Sequence, residues 1–497
     1  AGRVINAKGQ VVTPGFIDIH SHVDVSIFIE PRAESALSQG VTTMLGGNCG
    51  MSAAPVPAVN NPRYPEFRRH FFNRHGMEPP WQSFDEYLGA LEQRGIAINV
   101  ASLVGHGTIR NIVMGRADRP CTPKELKEMK RLLAEALEQG ALGFSTGLEY
   151  IPGISAERSE IIELCQVVAA YDRLYATHMR QRDWKAIEST QEAVETAEAA
   201  GVRLEVSHLT PRRWRPHGAM QEMIRILDEA EERFKVRHGA GGTTPWGGGS
   251  PYSLIARWAL EGTVEEVGER LSKPEVREQA RRWVNVPAVQ SPQLKCLLSD
   301  EWDQVYLDYC RESPQYVGMS LSQIGAAQGK SAQDALFDIL IAEGEALADI
   351  SFKTPLHTIE DDIRVNISHP KCIPISDAEV SATTGPTADK RAYYAYVWVA
   401  RVLARYVRDE GLLTLPEAVR KMTSYPAWKL GLKDRGMLRE GMKADIAIFD
   451  PTKVEPLMTP LGKNVPSMGF AQTIVNGQVA FEGGKVTKVR AGQVIRR

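Results

Sequence analysis

The stretch that decides the fold is Gly15-Phe16-Ile17-Asp18-Ile19-His20-Ser21-His22, an apolar run that leads into two histidines separated by one residue. Side chains on a β-strand alternate between its two faces, so His20 and His22 are predicted to project from the same face, about 7 Å apart. That spacing suits two ligands that converge on one metal ion. A lone strand histidine is as often a hydrogen-bonded core residue, so the interpretation depends on what the chain places beside the pair.

Composition and charge exclude several classes of protein. The chain has 497 residues and a formal net charge of −2 with interspersed charges, which argues against a nucleic-acid or polyanion binder. No apolar run approaches the roughly 18 residues of a membrane span. The six cysteines show no paired spacing, which favours a reducing compartment, and we expect a cytoplasmic protein. No signal peptide is visible, although the chain opens in mid-strand and an earlier targeting segment is left open.

Predicted strands and helices alternate along most of the chain. Strands are predicted at 15–22, 41–49, 96–104, 141–148, 173–178, 202–207 and 371–376, with helices at 33–39, 123–139, 158–170, 185–200 and 416–424. The helix at 123–139 has the clearest start, because Thr122 and Glu125 form a capping box around Pro123. Repeated strand–helix units of this length indicate an α/β protein with a parallel sheet, and seven or eight of them predict a (β/α)₈ TIM-like barrel.

The two ends of the chain follow another pattern. Short alternating strands surround Asn476-Gly477, a strong signal for a type I′ hairpin. We predict a small β-sandwich built from residues 1–13 and 435–497. The barrel would occupy 14–434, with an inserted lid-like segment at about 251–345 that carries helices at 253–260, 264–271 and 274–284.

Zinc-ligand residue types follow the predicted strands at their carboxyl ends. They are His20, His22, Cys49, His178, His208 and Asp377. A parallel barrel brings these strand ends together, so the six predict a metal site. A thiolate ligand favours Zn²⁺ over Mg²⁺ or Ca²⁺. Zinc lowers the pKa of bound water toward about 7, and Asp377 can accept the proton of that water, which together predict metal-assisted hydrolysis.

Several stretches carry a family resemblance. They are 14–22, 40–50, 103–108, 143–148, 177–180, 207–208, 375–377, 420–424 and 441–445. Together they resemble the amidohydrolase superfamily and, within it, the D-aminoacylase (N-acyl-D-amino-acid deacylase) family. The resemblance covers most of the chain, more loosely in 210–345 and 378–400.

The resemblance implies a role for each candidate ligand. Cys49, His178 and His208 would hold one tight zinc. His20 and His22, with Asp377 nearby, would form a second position that is weak or empty. Asp377 would be the general base and then the general acid. Relatives with two bridged metals use a lysine from the fourth strand, and residues 142–148 contain none.

The chain departs from the family on the substrate side. No lysine follows two residues after His208, residues 237–242 replace a Tyr-Pro-Tyr strand, and a His-Pro-Arg motif after Asp377 is absent. Tyr150 is kept as a candidate substrate-binding residue. Arg212 and Arg391 are the candidates chosen for a different anion site, with Arg213, Arg215 and Lys390 as further possibilities. For His238, packing and function are equally supported.

These features predict a zinc amidohydrolase that deacylates an N-acyl-D-amino acid or a related N-acylated small molecule, with Asp377 as the proton shuttle. Two alternatives stay open: a cyclic amide or imide hydrolase or a deaminase on the same scaffold, and a non-catalytic scaffold. The expected partner is a small-molecule substrate, without nucleic acid or membrane, and homo-oligomerisation is left open.

Overall fold

The computed structural model describes residues 3–213, 215–234, 236–249, 251, 254–255, 257–260, 263–284, 301–355 and 357–497. The strands are β1 (Val11–Pro14), β2 (Phe16–Asp18), β3 (Val41–Gly46), β4 (Asn99–Ser102), β5 (Val104–Gly105), β6 (Gly143–Gly147), β7 (Leu174–His178), β8 (Arg203–Ser207), β9 (Val236–Gly242), β10 (Gly247–Gly249), β11 (Tyr306–Tyr309), β12 (Ser351–Thr354), β13 (Ile373–Ile375), β14 (Ile446–Phe449), β15 (Phe470–Val475), β16 (Gln478–Glu482) and β17 (Lys485–Val486).

Helices surround the parallel strands, except those between residues 264 and 343, which belong to the inserted segment. The helices are α1 (Val23–Ile29), α2 (Glu34–Leu37), α3 (Tyr64–Phe71), α4 (Phe84–Arg94), α5 (His106–Met114), α6 (Pro123–Glu138), α7 (Arg158–Ala170), α8 (Ala186–Ala200), α9 (Ala219–Arg233), α10 (Val264–Leu271), α11 (Pro274–Val284), α12 (Leu321–Gln328), α13 (Ala332–Glu343), α14 (Glu360–Ser368), α15 (Tyr393–Arg401), α16 (Leu415–Met422) and α17 (Ser424–Leu430). A π-helical stretch, Val402–Asp409, continues α15. Short 3₁₀ helices lie at Asn73–His75, Gly153–Ser155, Arg257–Leu260, Trp302–Gln304, Pro314–Tyr316 and Gly344–Asp349.

Parallel strands form the barrel. One ladder runs β2-β3-β4 and another runs β5-β6-β7-β8-β9-β13, and β4 and β5 are separated by Leu103 alone. The first and last strands meet just beyond their ends, where the Asp377 amide donates to the His20 carbonyl at 3.0 Å. This arrangement gives the eight strand positions of a TIM-like barrel, and it gathers the carboxyl ends of the strands on one rim.

Most predicted elements of the barrel are confirmed with small shifts at their ends. The helix Arg158–Ala170 has the predicted bounds, and α6 begins with the predicted capping box of Thr122 and Glu125. The opening strand is shorter than predicted, because it ends at Asp18. His20 and His22 therefore lie in the turn beyond the strand, and turn geometry rather than strand alternation orients them.

Both ends of the chain build a second sheet. Its five strands are antiparallel in the order β1-β14-β15-β16-β17, which is consistent with the predicted sandwich. The predicted hairpin joins β15 to β16, where Asn476 and Gly477 have φ values of 46° and 81°. Two consecutive residues in the left-handed region match the right-handed twist of the flanking strands.

The predicted inserted segment has its own hydrophobic core, which includes Leu307, Leu336 and Phe352. Helices α10 and α11 match the predicted bounds, and β10, β12 and β11 form a small antiparallel sheet next to them. The predicted helix at 253–260 lies partly outside the described residues, and its described end is 3₁₀. The domain boundaries stay predictions. Within the described ranges, no helix combines the length and the apolar character needed to cross a membrane.

Candidate metal centre and active site

The loop after β3 turns the Cys49 side chain into the barrel mouth. Cys49 has a φ of 54°, a left-handed conformation that costs energy for a residue with a Cβ. Gly47 makes the turn possible, because a Cβ at that position would lie 1.9 Å from the Leu103 carbonyl oxygen. Gly50, on the other side of Cys49, has a φ of 72° and lies against the backbone of Gly147. The glycines therefore let the chain fold tightly against neighbouring strands while the thiol points inward.

His208 and Asp377 share the left-handed backbone conformation of Cys49. They follow β8 and β13 with φ values of 49° and 53°, although neither is a glycine. Strained backbone of this kind persists only where the surrounding structure enforces it, and it is concentrated at functional sites. Three strand ends thus adopt the same uncommon conformation and direct a sulfur, a ring and a carboxylate to one point.

Four of the six predicted ligands form a tight group, called here the upper cluster: His20, Cys49, His208 and Asp377. One ligand atom from each lies within 4.8 Å of all the others. The Cys49 sulfur lies 3.0 Å from His208 Nε2 and 3.3 Å from His20 Nε2. Asp377 places Oδ1 3.4 Å from His20 Nε2 and Oδ2 3.4 Å from His208 Nδ1.

The other two predicted ligands adjoin this group. His22 Nε2 lies 3.2 Å from Asp377 Oδ1. The His178 ring centroid is 4.8 Å from that of His208, but its Nε2 is hydrogen-bonded to Glu149 Oε2 at 2.6 Å. His178 Nδ1 is buried and has no hydrogen-bond partner in the described part of the chain, so a carboxylate fixes one ring nitrogen and the other is available to a metal ion.

Electrostatics favour the protonation states that metal ligands need at Cys49 and His208, but they keep a proton on His20 and His22 while the site holds no metal. Burial alone would raise the pKa of the Cys49 thiol, but His208 and His20 hold it well below its usual range. Burial lowers the pKa of His208 to about 4, whereas the charges of Cys49 and Asp377 overcome burial and raise the pKa of His20 to about 9. The proton shared by this group therefore belongs on His20, which leaves an anionic sulfur and a neutral His208 ring.

The donor set fits zinc. Thiolate, imidazole and carboxylate are its usual ligands, with bonds of about 2.0–2.3 Å, so two ligand atoms on one tetrahedral zinc lie about 3.5 Å apart. The distances from the Cys49 sulfur to His208 and His20, 3.0 and 3.3 Å, are close to that value. The unpartnered Nδ1 of His178 adds a further donor at the edge of the group.

The upper cluster opens into a cavity of about 700 Å³. Among its lining residues are Phe71, Tyr150, Arg182, Trp246, Arg391 and Tyr394. The Asp377 side chain, at 41% exposure, is the most open member of the cluster. The cavity can hold a small organic molecule of the predicted kind beside the carboxylate.

All three predicted substrate-binding residues line this cavity, each with a protein partner. Tyr150 donates its hydroxyl to the Cys49 carbonyl at 2.7 Å. Arg212 binds both oxygens of the Glu149 carboxylate, and Arg391 donates to the Leu461 carbonyl at 2.6 Å. Their role in substrate binding stays a prediction.

Sequence reasoning missed two residues of the site. Glu149 bridges His178 and Arg212, and the charge of Arg212 together with the hydrogen bond to His178 overcomes burial and holds the pKa of Glu149 well below its usual range. Glu149 comes directly after the predicted strand 141–148. A search for ligand-type residues at the carboxyl ends of strands finds Glu149 if it includes the residue that follows each strand. Arg182 lies in a loop four residues after His178, where no sequence pattern distinguishes it from a surface arginine.

Comparison with known proteins identifies the family of this chain. The model of the amidohydrolase family matches residues 3–274 and 384–481. The chain belongs to the amidohydrolase family. It is 30% identical to the N-acyl-D-glutamate deacylase of Alcaligenes xylosoxydans xylosoxydans, over 100% of this chain and 88% of that protein. This enzyme of the amidohydrolase family thus resembles D-aminoacylases along its full length, and the resemblance found in the sequence is confirmed.

Solved structures give the same result. The N-acyl-D-glutamate deacylase of Bordetella bronchiseptica has a TM-score of 0.78 at 29% identity, covering 99% of this chain and 90% of that chain, and it was solved with zinc and a phosphonate inhibitor that mimics the tetrahedral intermediate. A D-aminoacylase with a binuclear metal center has a TM-score of 0.77 at 27% identity, with the same coverage. These matches support the predicted barrel fold of this amidohydrolase.

Proposed function

We propose that this amidohydrolase is a zinc-dependent deacylase that hydrolyses the linear amide bond of an N-acyl-D-amino acid or a closely related N-acylated small molecule. The observation that carries the proposal is the position of Asp377. Its carboxylate is open to the cavity and lies beside both rings of the upper cluster, with Oδ1 3.4 Å from His20 Nε2 and Oδ2 3.4 Å from His208 Nδ1.

The residues that would hold the metal are Cys49, His178 and His208, with His20, His22 and Asp377 at a second, weaker position. When bound, zinc would polarise the acyl carbonyl and lower the pKa of a coordinated water. That chemistry is the reason a proton acceptor is needed within hydrogen-bond reach of the reacting atoms.

Asp377 supplies this acceptor. The rings of His208 and His20 overcome burial and hold the pKa of Asp377 well below its usual range, so its carboxylate is ionised and ready to take a proton. The same oxygen can then deliver that proton to the departing amine nitrogen, which must be protonated for the C–N bond to break. The backbone bond from the Asp377 amide to the His20 carbonyl fixes the carboxylate in this position.

A substrate panel tests the proposal. The enzyme, reconstituted with about one equivalent of zinc, is assayed with N-acetyl-D-amino acids, their L enantiomers and five- and six-membered cyclic amides, while released amine, carboxylate and ammonia are measured separately. We expect amine and acetate to be released from D substrates, with metal-stripped enzyme inactive. Hydrolysis confined to cyclic amides, or release of ammonia, would replace the proposal with one of the alternatives.

A further inference from the structure

Arg182, in the wall of the cavity, has no carboxylate in contact with it among the residues that the structure describes. Arg182 is 5% exposed and lines the cavity beside the upper cluster. Its Nη1 donates a long hydrogen bond of 3.4 Å to the His208 carbonyl, and its buried Nε has no hydrogen-bond partner among the described residues. Its Nη2 makes no hydrogen bond within the part of the chain that the structure describes, and no carboxylate there lies within 4 Å of the guanidinium.

The two neighbouring arginines of the cavity differ from Arg182. Arg212 is neutralised by Glu149, with Nη2 2.7 Å from Oε2, and Arg391 donates to main-chain carbonyls. An arginine keeps its charge at neutral pH. Glu149, Asp377 and Cys49 act on Arg182 only as nearby charges, against burial and the charge of Arg212. A buried charge is costly unless it is paired, and a guanidinium in a cavity wall with no carboxylate in contact with it is suited to an anionic ligand.

The position of Arg182 relates that ligand to the reacting centre. Its guanidinium contacts the carbonyl of His208, whose ring belongs to the upper cluster. The backbone carbonyl of Arg182 accepts a hydrogen bond of 2.6 Å from the Arg212 amide, which fixes the loop against the cavity wall. An anion paired with Arg182 would therefore lie directly beside the group that includes Asp377.

We propose that Arg182 is the anchor for the carboxylate of the substrate and determines specificity for acids over neutral amides. The inference rests on the proposed function, because it assumes that the acylated nitrogen and the carboxylate belong to one molecule, an N-acyl amino acid. Guanidinium binds carboxylate in a planar, two-point geometry, which orients the acyl group toward the cluster. Arg182 positions the substrate and takes no part in proton transfer.

Binding without turnover gives the first test. The Asp377→Ala enzyme is titrated by calorimetry with N-acetyl-D-methionine and N-acetyl-D-leucine, and with the uncharged α-carboxamide of each. Adding Arg182→Gln to this enzyme should weaken binding of the acids by about 100-fold, as expected for loss of one partner of a buried charge pair, while binding of the carboxamides changes less than about 3-fold.

Steady-state kinetics of the active enzyme give the second test of the anchor. Arg182→Gln should raise KM for the acids with kcat nearly unchanged. The KM of Arg182→Lys should lie between those of the wild type and Arg182→Gln. Arg225→Gln is the control, because Arg225 is an exposed arginine of α9 that pairs with Glu222 and Glu229 on the same helix. Zinc content and the melting temperature of each variant show whether it is folded and loaded.

The outcomes separate this inference from the proposed function. An equal loss on acids and carboxamides would make Arg182 a support of His208 and overturn the anchor, as would a failure of the Asp377→Ala enzyme to bind any of the acids. If the wild-type enzyme turns over no N-acyl amino acid, yet the acids still bind in a manner that depends on Arg182, the proposed function fails and the anchor stands.

Discussion

Among the residues that the structure describes, metal-ligand residue types gather in two clusters, one at each end of the barrel strands. The upper cluster lies at the carboxyl ends. The lower cluster, formed by Asp228, His238, His369, Lys371 and Cys372, lies near the amino ends of β9 and β13. Ligand atoms of His238, His369 and Cys372 come within 4.8 Å of one another, as those of the upper cluster do. Residue types and proximity are thus the same, and the differences between the two lie in geometry and charge.

Ring orientation is the first difference. The His20 and His208 rings meet at 71°, so their nitrogens can aim at one point. The His238 and His369 rings are stacked at 24° with centroids 4.6 Å apart. Nearly parallel imidazole planes direct their in-plane lone pairs side by side, and a single ion cannot lie on both lines.

Charge is the second difference. In the lower cluster Lys371 Nζ lies 3.2 Å from Asp228 Oδ1 and 2.7 Å from Glu231 Oε2, so a cation already occupies the place of a metal. Burial raises the pKa of Cys372 to about 12, whereas that of Cys49 is depressed, and only a thiolate is a good ligand. The lower cluster is therefore a structural network, and packing is the better explanation for His238.

The largest difference in activity between the two clusters should appear when Cys49 and Cys372 are replaced by alanine in two separate variants. Cys49→Ala should lose zinc and lower kcat/KM by more than about 10⁴-fold, since the proton shuttle alone is worth about 10²–10⁴ and cannot act without an activated substrate. Cys372→Ala should keep one zinc and full activity and lose about 1 kcal/mol of stability. Metal analysis after gel filtration, steady-state kinetics and urea unfolding measure the three quantities.

Comparable losses of zinc in both variants would contradict the distinction between the clusters. An intact zinc content in Cys49→Ala would move the tight site away from the sulfur.

A smaller difference in kcat is expected when Asp377 and Asp228 are replaced by alanine in two separate variants. Asp377→Ala should keep the zinc held by Cys49, His178 and His208 and lower kcat by about 10²–10⁴-fold, because a general base is removed. Asp228→Ala is the matched control at the other end of the barrel and should keep both zinc and kcat. Full turnover by Asp377→Ala would sink the proposed mechanism.

The sequence predicts much of this arrangement because barrel topology fixes where strand ends meet. Once the alternation of strands and helices is recognised, residues as far apart as Cys49 and Asp377 must share one rim. The capping box before α6 and the Asn476-Gly477 hairpin are local signals, and local signals survive in the folded chain.

The sequence does not show what depends on exact backbone conformation or on long-range pairing. Nothing in the pattern indicates that His208 and Asp377 adopt positive φ, or that β2 ends before His20. Arg212 looks like a free anion binder until Glu149 is seen beside it, and Arg182 looks like a surface residue until it is seen buried. Pairing of charges across loops is decided by tertiary packing alone.

The smallest expected effect is on the pH dependence of the free energy of unfolding, to which His238 of the lower cluster contributes. Burial, with the nearby charges of His369 and Lys429, lowers the pKa of His238 from 6.5 to about 3. Asp228 and Lys371 are the other charged groups of the lower cluster. Above pH 6.5 the ring is neutral in both the folded and the unfolded chain. Between about 6.5 and 3 only the unfolded chain binds the proton, so stability falls as the pH falls, with a slope of at most about 1.4 kcal/mol per pH unit.

His238→Asn isolates this contribution, because asparagine tolerates the φ of 60° at this position and does not titrate. The free energy of unfolding from urea titrations at pH 7 and pH 5 should fall less in His238→Asn than in the wild type, while zinc content at pH 7 is equal in both. An identical decrease in the two proteins would show that His238 is protonated in the folded chain. The stacked rings would then carry a charge that the neighbouring Asp228 neutralises, and the lower cluster would be an ion pair.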